Sequence, residues 1–521
     1  MKSVMAHDFA QVPKADIPRS VFNRTHGYKS TMDSGYLVPF YVDEALPGDT
    51  FNLNATLFAR LATPIVPVMD NMHLDTHYFA VPIRLVWENW QKMQGERLKP
   101  EDSNDFLVPQ IEAPEGGFTV QGIEDYFGLP TGVDNISVSA LWHRAYNLIF
   151  NEWYRDENLQ DPVPVNTDDG PDDPADYVLK RRGKRFDYFT SCLPWPQKGP
   201  GVEIPLGDKA YIKADIPFDG GTGVTNRLSI KDDAGTDQMM ATSSGTASTL
   251  YGANIESTIP ETAMYADLSE ATAATINTLR QAFQLQKLFE RDARGGTRYI
   301  ELLKSRFNVT NPDFRLQRPE YLGGGSQTIM VNPVSQTSAS DGNTPQGNQA
   351  AFGVSGGSSG FTKSFTEHTI IIAICSIRAD LTYQSGIPRM FSRRTRFDYY
   401  EPALAHLGEQ SVLNKEIYAQ GTDDDEKVFG YNERWSEYRY YPSKITGKFR
   451  SSDPQSLDIW HLSQDFGSLP TLNSQFIEEN PPVERIVAVT DEPEFIFDSY
   501  IQSRTARPIP TYSVPGLIDH F

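Results

Sequence analysis

Three groups of side chains have the types and spacing to contact a phosphate backbone. The densest is Lys180, Arg181, Arg182, Lys184 and Arg185, followed at once by Phe186, Tyr188 and Phe189. Cations beside rings suit a single-strand binder, because charge follows the phosphates while rings stack on bases. The competing reading is a solvated turn, or cations neutralised by the acidic stretch Asp168 to Asp176 just before it. A second group, Arg389, Arg393, Arg394 and Arg396, is interleaved with Phe391, Phe397, Tyr399 and Tyr400 and carries the same pair of readings. Both groups are candidate contacts to DNA or to another subunit. In the third and weaker group, Arg291, Arg294 and Arg298 surround Gly295-Gly296. A Gly-Gly turn can hold a phosphate on backbone N–H groups, but it more commonly ends one helix and starts the next.

Other patterns carry less. His73 and His77 have the i, i+4 spacing of a zinc helix, but Glu does not follow His73. Their flanks alternate like a strand, where that spacing spans about 13 Å, so they read as structural. Asp423-Asp424-Asp425-Glu426 lacks the spacing of a calcium loop and reads as a solvated turn. The glycines of Leu322 to Ser326 lack the Lys of a phosphate loop and read as a flexible turn. No catalytic triad, metal set or cofactor motif emerges.

The composition sets bounds. A chain of 521 residues has ample length for a core, and 36 Pro with 38 Gly favours short strands joined by long loops over a helical bundle. The net charge of −21 argues against a protein that coats nucleic acid with its whole surface, though not against local basic patches. Cys192 and Cys375 are too few for a disulfide framework and fit assembly in a reducing cytoplasm. The first residues have no apolar run of signal-peptide length. The most apolar run, Ile370 to Ile377, falls far short of the roughly 20 residues that span a bilayer.

These groups must be positioned by a mainly β scaffold. Residues 1–48 read as an extended, Pro-punctuated arm whose Val21, Phe22, Leu37, Phe40 and Tyr41 need a neighbouring subunit to cover them. Residues 49–521 read as the jelly-roll body with its insertions. Phe51, Leu53, Ala55 and Leu57 alternate with polar residues as a strand, and LDTHYFAV, TIIIAICSI, RIVAVT and EFIFDSYI read as further strands. Two helices are expected. One, over 139–159, carries an aromatic stripe of Trp142, Tyr146, Phe150 and Trp153. The other, over 268–293, opens on an Asp267–Glu270 capping box. Residues 199–266 read as a protruding surface insertion, 335–360 as a Gly/Ser-rich loop, and 505–521 as an extended tail. The pattern suits an eight-stranded antiparallel jelly roll with long loop insertions containing helices, with a sandwich or another barrel close behind.

Long ordered blocks point further. They include FARLATPIVPVMDNMHLDTHYFAVP, RAYNLIFNEWYRDENLQDP, LPWPQKGP, RADLTYQSGIPRMFSRRTRFDYYEPALAHLGEQSVLNKEIYAQG and the terminal VPGLIDHF. Through these blocks nearly the whole chain resembles the major capsid proteins of gokushoviruses, small single-stranded DNA phages of the microvirus family. Departures are local, at Ile83 and Trp142-His143. The resemblance implies a jelly-roll subunit that self-associates as a homo-oligomer of about sixty copies in a T=1 icosahedral shell. It also implies a circular single-stranded DNA genome, an internal scaffolding protein, a small basic DNA-associated protein and a DNA-pilot protein. The 199–266 insertion would form a three-fold protrusion that meets a host cell-surface receptor. Assembly would take place in the host bacterial cytoplasm. No reaction is implied. Two other classes remain open on the residues alone: a β-rich carbohydrate-binding or carbohydrate-cleaving protein, and a free single-strand binder.

Overall fold

The computed structural model describes residues 18–202, 211–213, 229–231, 237–239, 254–255, 265–267, 276–295, 301, 304, 305, 307, 308 and 317–512 except 339 and 341–344. Two units are distinguished: residues 1–196 with 295–521, and residues 197–294. Eight long strands build the first unit. They are β1 (His26–Met32), β2 (Val38–Ala45), β3 (Thr50–Leu61), β4 (Met72–Pro82), β5 (Glu320–Ser335), β6 (Gln349–Ser364), β7 (Thr369–Ala379) and β8 (Phe495–Arg507).

Their pairing is antiparallel and falls into two sheets, β1–β8–β3–β6 and β2–β7–β4–β5. β5 joins them: Glu320–Ile329 pair with β4, and Met330–Ser335 pair with β6. Successive strands mostly lie in opposite sheets, and the first and last strands are neighbours. That is an eight-stranded jelly roll. Short turns make most connections, while residues 83–319 and 380–494 form the two long excursions.

The core follows from alternation. In β3 every second side chain from Phe51 to Leu61 is buried and those between are exposed. The buried set meets Phe40, Tyr78, Phe361, Phe495 and Phe497 between the sheets. Phe40 and Phe497 stand edge-on at 5.7 Å between ring centroids, and burying each such ring contributes about 1.5–3 kcal/mol. β7 is buried at all of its residues because its sheet is covered twice. Its inner face joins the core. Ile370, Ile372 and Ile374 point the other way, onto Leu141, Ala145, Tyr146 and Ile149 of α1 (Leu141–Ile149). Burial on both faces produces the continuous apolar run seen in the sequence.

Several expectations need correction. Residues 20–45 are not an arm awaiting a neighbour. Ser20–Asn23 and β1 pair with β8, and β2 pairs with β7. Leu37, Phe40 and Tyr41 are therefore buried in their own subunit, while Val21 stays exposed. The 335–360 segment is not one loop, since Gln349 onward is β6, paired with β3. Its small residues permit close approach, and a Cβ on Gly360 would overlap the Leu53 carbonyl. The glycines of Leu322 to Ser326 likewise lie inside β5, where a Cβ on Gly324 would strike the Thr76 carbonyl.

The helix expected over 139–159 is α-helical only to Ile149 and continues as a π turn to Tyr154. Tyr146 and Phe150 of its aromatic stripe are buried, whereas Trp153 is exposed. RIVAVT forms no strand: Val483–Arg485 is a 3-10 turn and Val487 makes a single bridge to Pro64. The tail's residues 505–507 belong to β8. In the second unit, α2 spans Ile276–Arg294, short strands include Tyr211–Lys213 paired with Tyr265–Asp267, and Glu270 of the expected capping box lies outside the described residues.

Candidate nucleic-acid interface

The 180–185 run is stitched between two distant pieces of backbone. Leu37 donates its N–H to the Lys180 carbonyl at 2.9 Å, and the Arg182 N–H donates to the Gly35 carbonyl at 2.7 Å. On the other side the Lys184 N–H reaches Ile477 O, and the Glu479 N–H reaches Arg182 O, both at 2.7 Å. The side chains continue this pattern. Arg181 lies 4.1 Å from the centre of the Tyr36 ring and donates to the Glu479 carbonyl at 2.9 Å. Arg182 donates to Asp75 Oδ2 at 2.6 Å, and Arg378 from β7 reaches the same oxygen at 2.7 Å. Lys184 Nζ donates to Gln464 Oε1 at 2.8 Å and to Phe476 O at 2.5 Å.

Electrostatics explain the arrangement. Burial alone would raise the Asp75 carboxyl. Hydrogen bonds from Ser326 and Arg378, with the Arg182 and Arg378 charges, outweigh it and hold the group at about 2. Burial pushes the Lys184 ammonium down to about 8, against the opposing pull of Glu479 and Asp187. Burial also raises the carboxyl of Glu479. Lys180, half-buried, is lowered in the same way. The run therefore neutralises internal carboxylates and ties the N-terminal strands to the 477–479 segment. Arg185, with 59% of its side chain exposed and 3.9 Å from Asp380, faces solvent, as does Phe186 at 79%. Tyr188 and Phe189 are buried with Cys192, Phe429 and Phe476.

The second group divides similarly. Arg389 donates to Ser411 O at 2.7 Å and Glu416 Oε1 at 2.9 Å. Arg393 lies 3.5 Å from Glu437 and 4.4 Å from the Tyr438 ring centre. Arg394 and Arg396 are exposed, the latter 5.1 Å over Phe397. Phe391, Phe397, Tyr399 and Tyr400 are exposed as well.

Sequence reasoning missed that Arg434, Trp435 and Tyr438 come from a distant segment to complete this surface, with Tyr440 and Tyr441 beside them. The signal was present as the aromatic and basic density of RWSEYRYY. An open groove of about 800 Å³ is lined by Arg393, Arg394, Phe397 and Arg434, and also by Glu409, Glu416 and Glu426. Its mixed charge is a poor match for a polyanion. Beside it lies an apolar cavity of about 290 Å³ among Tyr383, Pro388, Met390, Phe391, Tyr441 and Ile445.

In the third group, Arg291 and Arg294 sit exposed on the last turn of α2. Arg298 and Gly296 lie outside the described residues. His73 and His77 both lie on β4, where His77 Nδ1 is 2.7 Å from the Tyr154 hydroxyl and His73 Nε2 is 3.5 Å from Asp380. Asp425 accepts the N–H groups of Gln420 and Gly421 and closes its own turn. No cluster of metal-ligating side chains occurs among the described residues.

A second internal ion pair had no sequence signal. Arg144 of α1 is wholly buried and donates to Asp172 through Nε at 2.8 Å and Nη2 at 2.5 Å, and to the Val86 and Asp168 carbonyls. Asp168 and Asp172 of the acidic stretch thus find their cation in the helix.

The chain's sequence relationships agree with this architecture. The capsid protein (F protein) family profile matches residues 10–517. Capsid protein VP1 of Bdellovibrio phage phiMH2K is 49% identical over 533 residues, covering 99% of this chain and 98% of the relative. Capsid protein VP1 of Chlamydia phage 1 is 44% identical, covering 99% and 98%. Capsid protein VP1 of Spiroplasma virus 4 is 38% identical, covering 98% and 97%. These relatives are structural proteins of the virion, a family not known for catalysis, which removes the ground for a carbohydrate-cleaving protein. No helix among the described residues is long and apolar enough to cross a membrane. A jelly roll with exposed aromatic surfaces, matched end to end by capsid proteins, belongs to the capsid protein (F protein) family of the gokushovirus-type microviruses.

Proposed function

We propose that the chain closes a T=1 icosahedral shell of about sixty copies around a circular single-stranded DNA genome. The observation that carries the reading is the jelly roll matched over almost its full length by capsid relatives. The exposed rings of Phe391, Phe397, Tyr399 and Tyr400 support it, because contiguous apolar surface on a soluble subunit marks a contact site. Residues 199–266 carry host attachment at a three-fold protrusion, and the separation of 197–294 as its own unit supports that assignment. An internal scaffolding protein, a small basic DNA-associated protein and a DNA-pilot protein act with it during assembly.

Among the cations expected to touch DNA or a neighbouring subunit, Arg185, Arg394 and Arg396, with Arg291 and Arg294 of the weaker group, keep exposed side chains for that role. Cryo-electron microscopy of nuclease-treated, sedimenting material, with extraction of protected nucleic acid, tests the reading. Icosahedral particles holding single-stranded DNA are the expected result. Only small soluble species, in a preparation that includes the scaffolding partner, would refute it.

A further inference from the structure

The two sheets differ in what covers their outer faces. The β2–β7–β4–β5 sheet is roofed by α1 and its flanking loops. Among the described residues nothing roofs the β1–β8–β3–β6 sheet. Asn52, Asn54, Thr56, Phe58 and Arg60 of β3 all point outward and are exposed, as are Ile496, Tyr500, Gln502 and Arg504 of β8. We propose that this open sheet face is a binding platform for single-stranded DNA, an inference that rests on the shell reading above.

Register places the groups together. Thr56 is opposite Tyr500, Asn54 opposite Gln502, and Asn52 opposite Arg504. Phe58 is opposite Asp498, one outward pair along from Tyr500. The two rings thus sit on adjacent strands as diagonal neighbours, about 7–8 Å apart. Phe58 is 45% exposed, Tyr500 53% and Ile496 56%. On a solvated sheet face these positions would be polar, so a ligand that covers rings is called for.

Charge and hydrogen bonding choose the ligand. The whole chain carries −21, yet Arg60 and Arg504 form no ion pair among the described residues. The acid on this part of the face, Asp498, is already matched by Lys29 at 3.1 Å. The arginines of the 389–393 segment, by contrast, are held by Glu416 and Glu437. Asn52, Asn54 and Gln502 offer both donors and acceptors, as base edges require. Two unpaired guanidinium groups, a row of amides and two exposed rings on one flat sheet match phosphate, base edge and base face in turn. A neutral sugar would leave the arginines unmatched.

The test uses the full chain. Particles and subunits are prepared from the unmodified protein, from Phe58→Ser with Tyr500→Ser, and from Arg60→Gln with Arg504→Gln. All four side chains are largely on the surface, so both variants should remain folded, which their thermal melts check. Ultraviolet irradiation of unmodified particles should cross-link DNA to the peptides holding Phe58 and Tyr500. The ring variant should lose those cross-links and bind oligo(dT) at least about thirtyfold less tightly, from about 1 kcal/mol or more for each of the two rings. The arginine variant should lower the slope of log affinity against log salt by about 1.4. DNA-filled particles that cross-link elsewhere and tolerate both variants would overturn the assignment. So would a fall in shell yield at constant DNA per shell, which would make the face a contact between copies. Unmodified particles without DNA would instead refute the shell reading beneath it.

Discussion

Arg182→Ser separates the two uses of the basic run. In the structure Arg182 is an internal tie: its guanidinium reaches Asp75 at 2.6 Å, and the Asp75 side chain is only 6% exposed. Removing one partner from a buried ion pair costs about 3–5 kcal/mol. Arg378 keeps its bond to the same carboxylate oxygen, and Arg182 is itself partly exposed, so the lower end, about 3 kcal/mol, applies. Spread over the unfolding entropy of a chain this long, that shifts Tm by about 3 °C.

The pH dependence supplies a second readout. Asp75 sits at about 2 in the folded chain against 3.8 ordinarily. A lowered carboxyl adds stability that is present above pH 3.8 and lost as pH falls through 2, here about 2 kcal/mol. Without Arg182, burial gains weight, the carboxyl rises and the variant unfolds at higher pH. Thermal and acid melts of the full chain, beside DNA content per particle, are the assay. A variant that matches the parent in both the thermal and the acid melt but packages less DNA would refute the internal-tie account.

Three further outcomes are expected. Gly360→Ala should destabilise the subunit by at least the roughly 1–3 kcal/mol of an overpacked core, because its Cβ would overlap the Leu53 carbonyl; an unchanged melt would show that β3 and β6 can separate freely. Cys192 and Cys375 are buried, and burial raises both thiols well above their ordinary value. Neither should react with a thiol reagent at pH 8 until the chain unfolds, which mass spectrometry of native and denatured protein checks. Deleting residues 199–266 should leave the first unit folded by circular dichroism while host attachment or three-fold contacts fail; loss of folding would place the insertion in the core.

Local pattern and tertiary context divided the work unevenly. Alternation from Phe51 to Leu61 and the apolar run at Ile370 were enough to locate β3 and β7, since a strand's side chains report its two faces directly. Long ordered blocks were enough to reach the capsid family. The role of each cation was not legible. Arg182 and Arg185 read alike in a run, yet one is held by the Asp75 carboxylate that it shares with Arg378 and the other meets solvent, a difference set by residues on β4 and β7.

The Gly/Ser stretch after Ser335 was equally ambiguous. Glycine serves a turn or a close strand contact, and only the presence of β3 beside Gly360 decides between them. The N-terminal strands read as an arm because their partners, β7 and β8, lie hundreds of residues away. The sequence by itself determined where strands could form and which family the chain resembles. Which charges are spent inside, which faces remain open and where the chain's ends pair were decided by tertiary structure, because each depends on a neighbour that local pattern does not name.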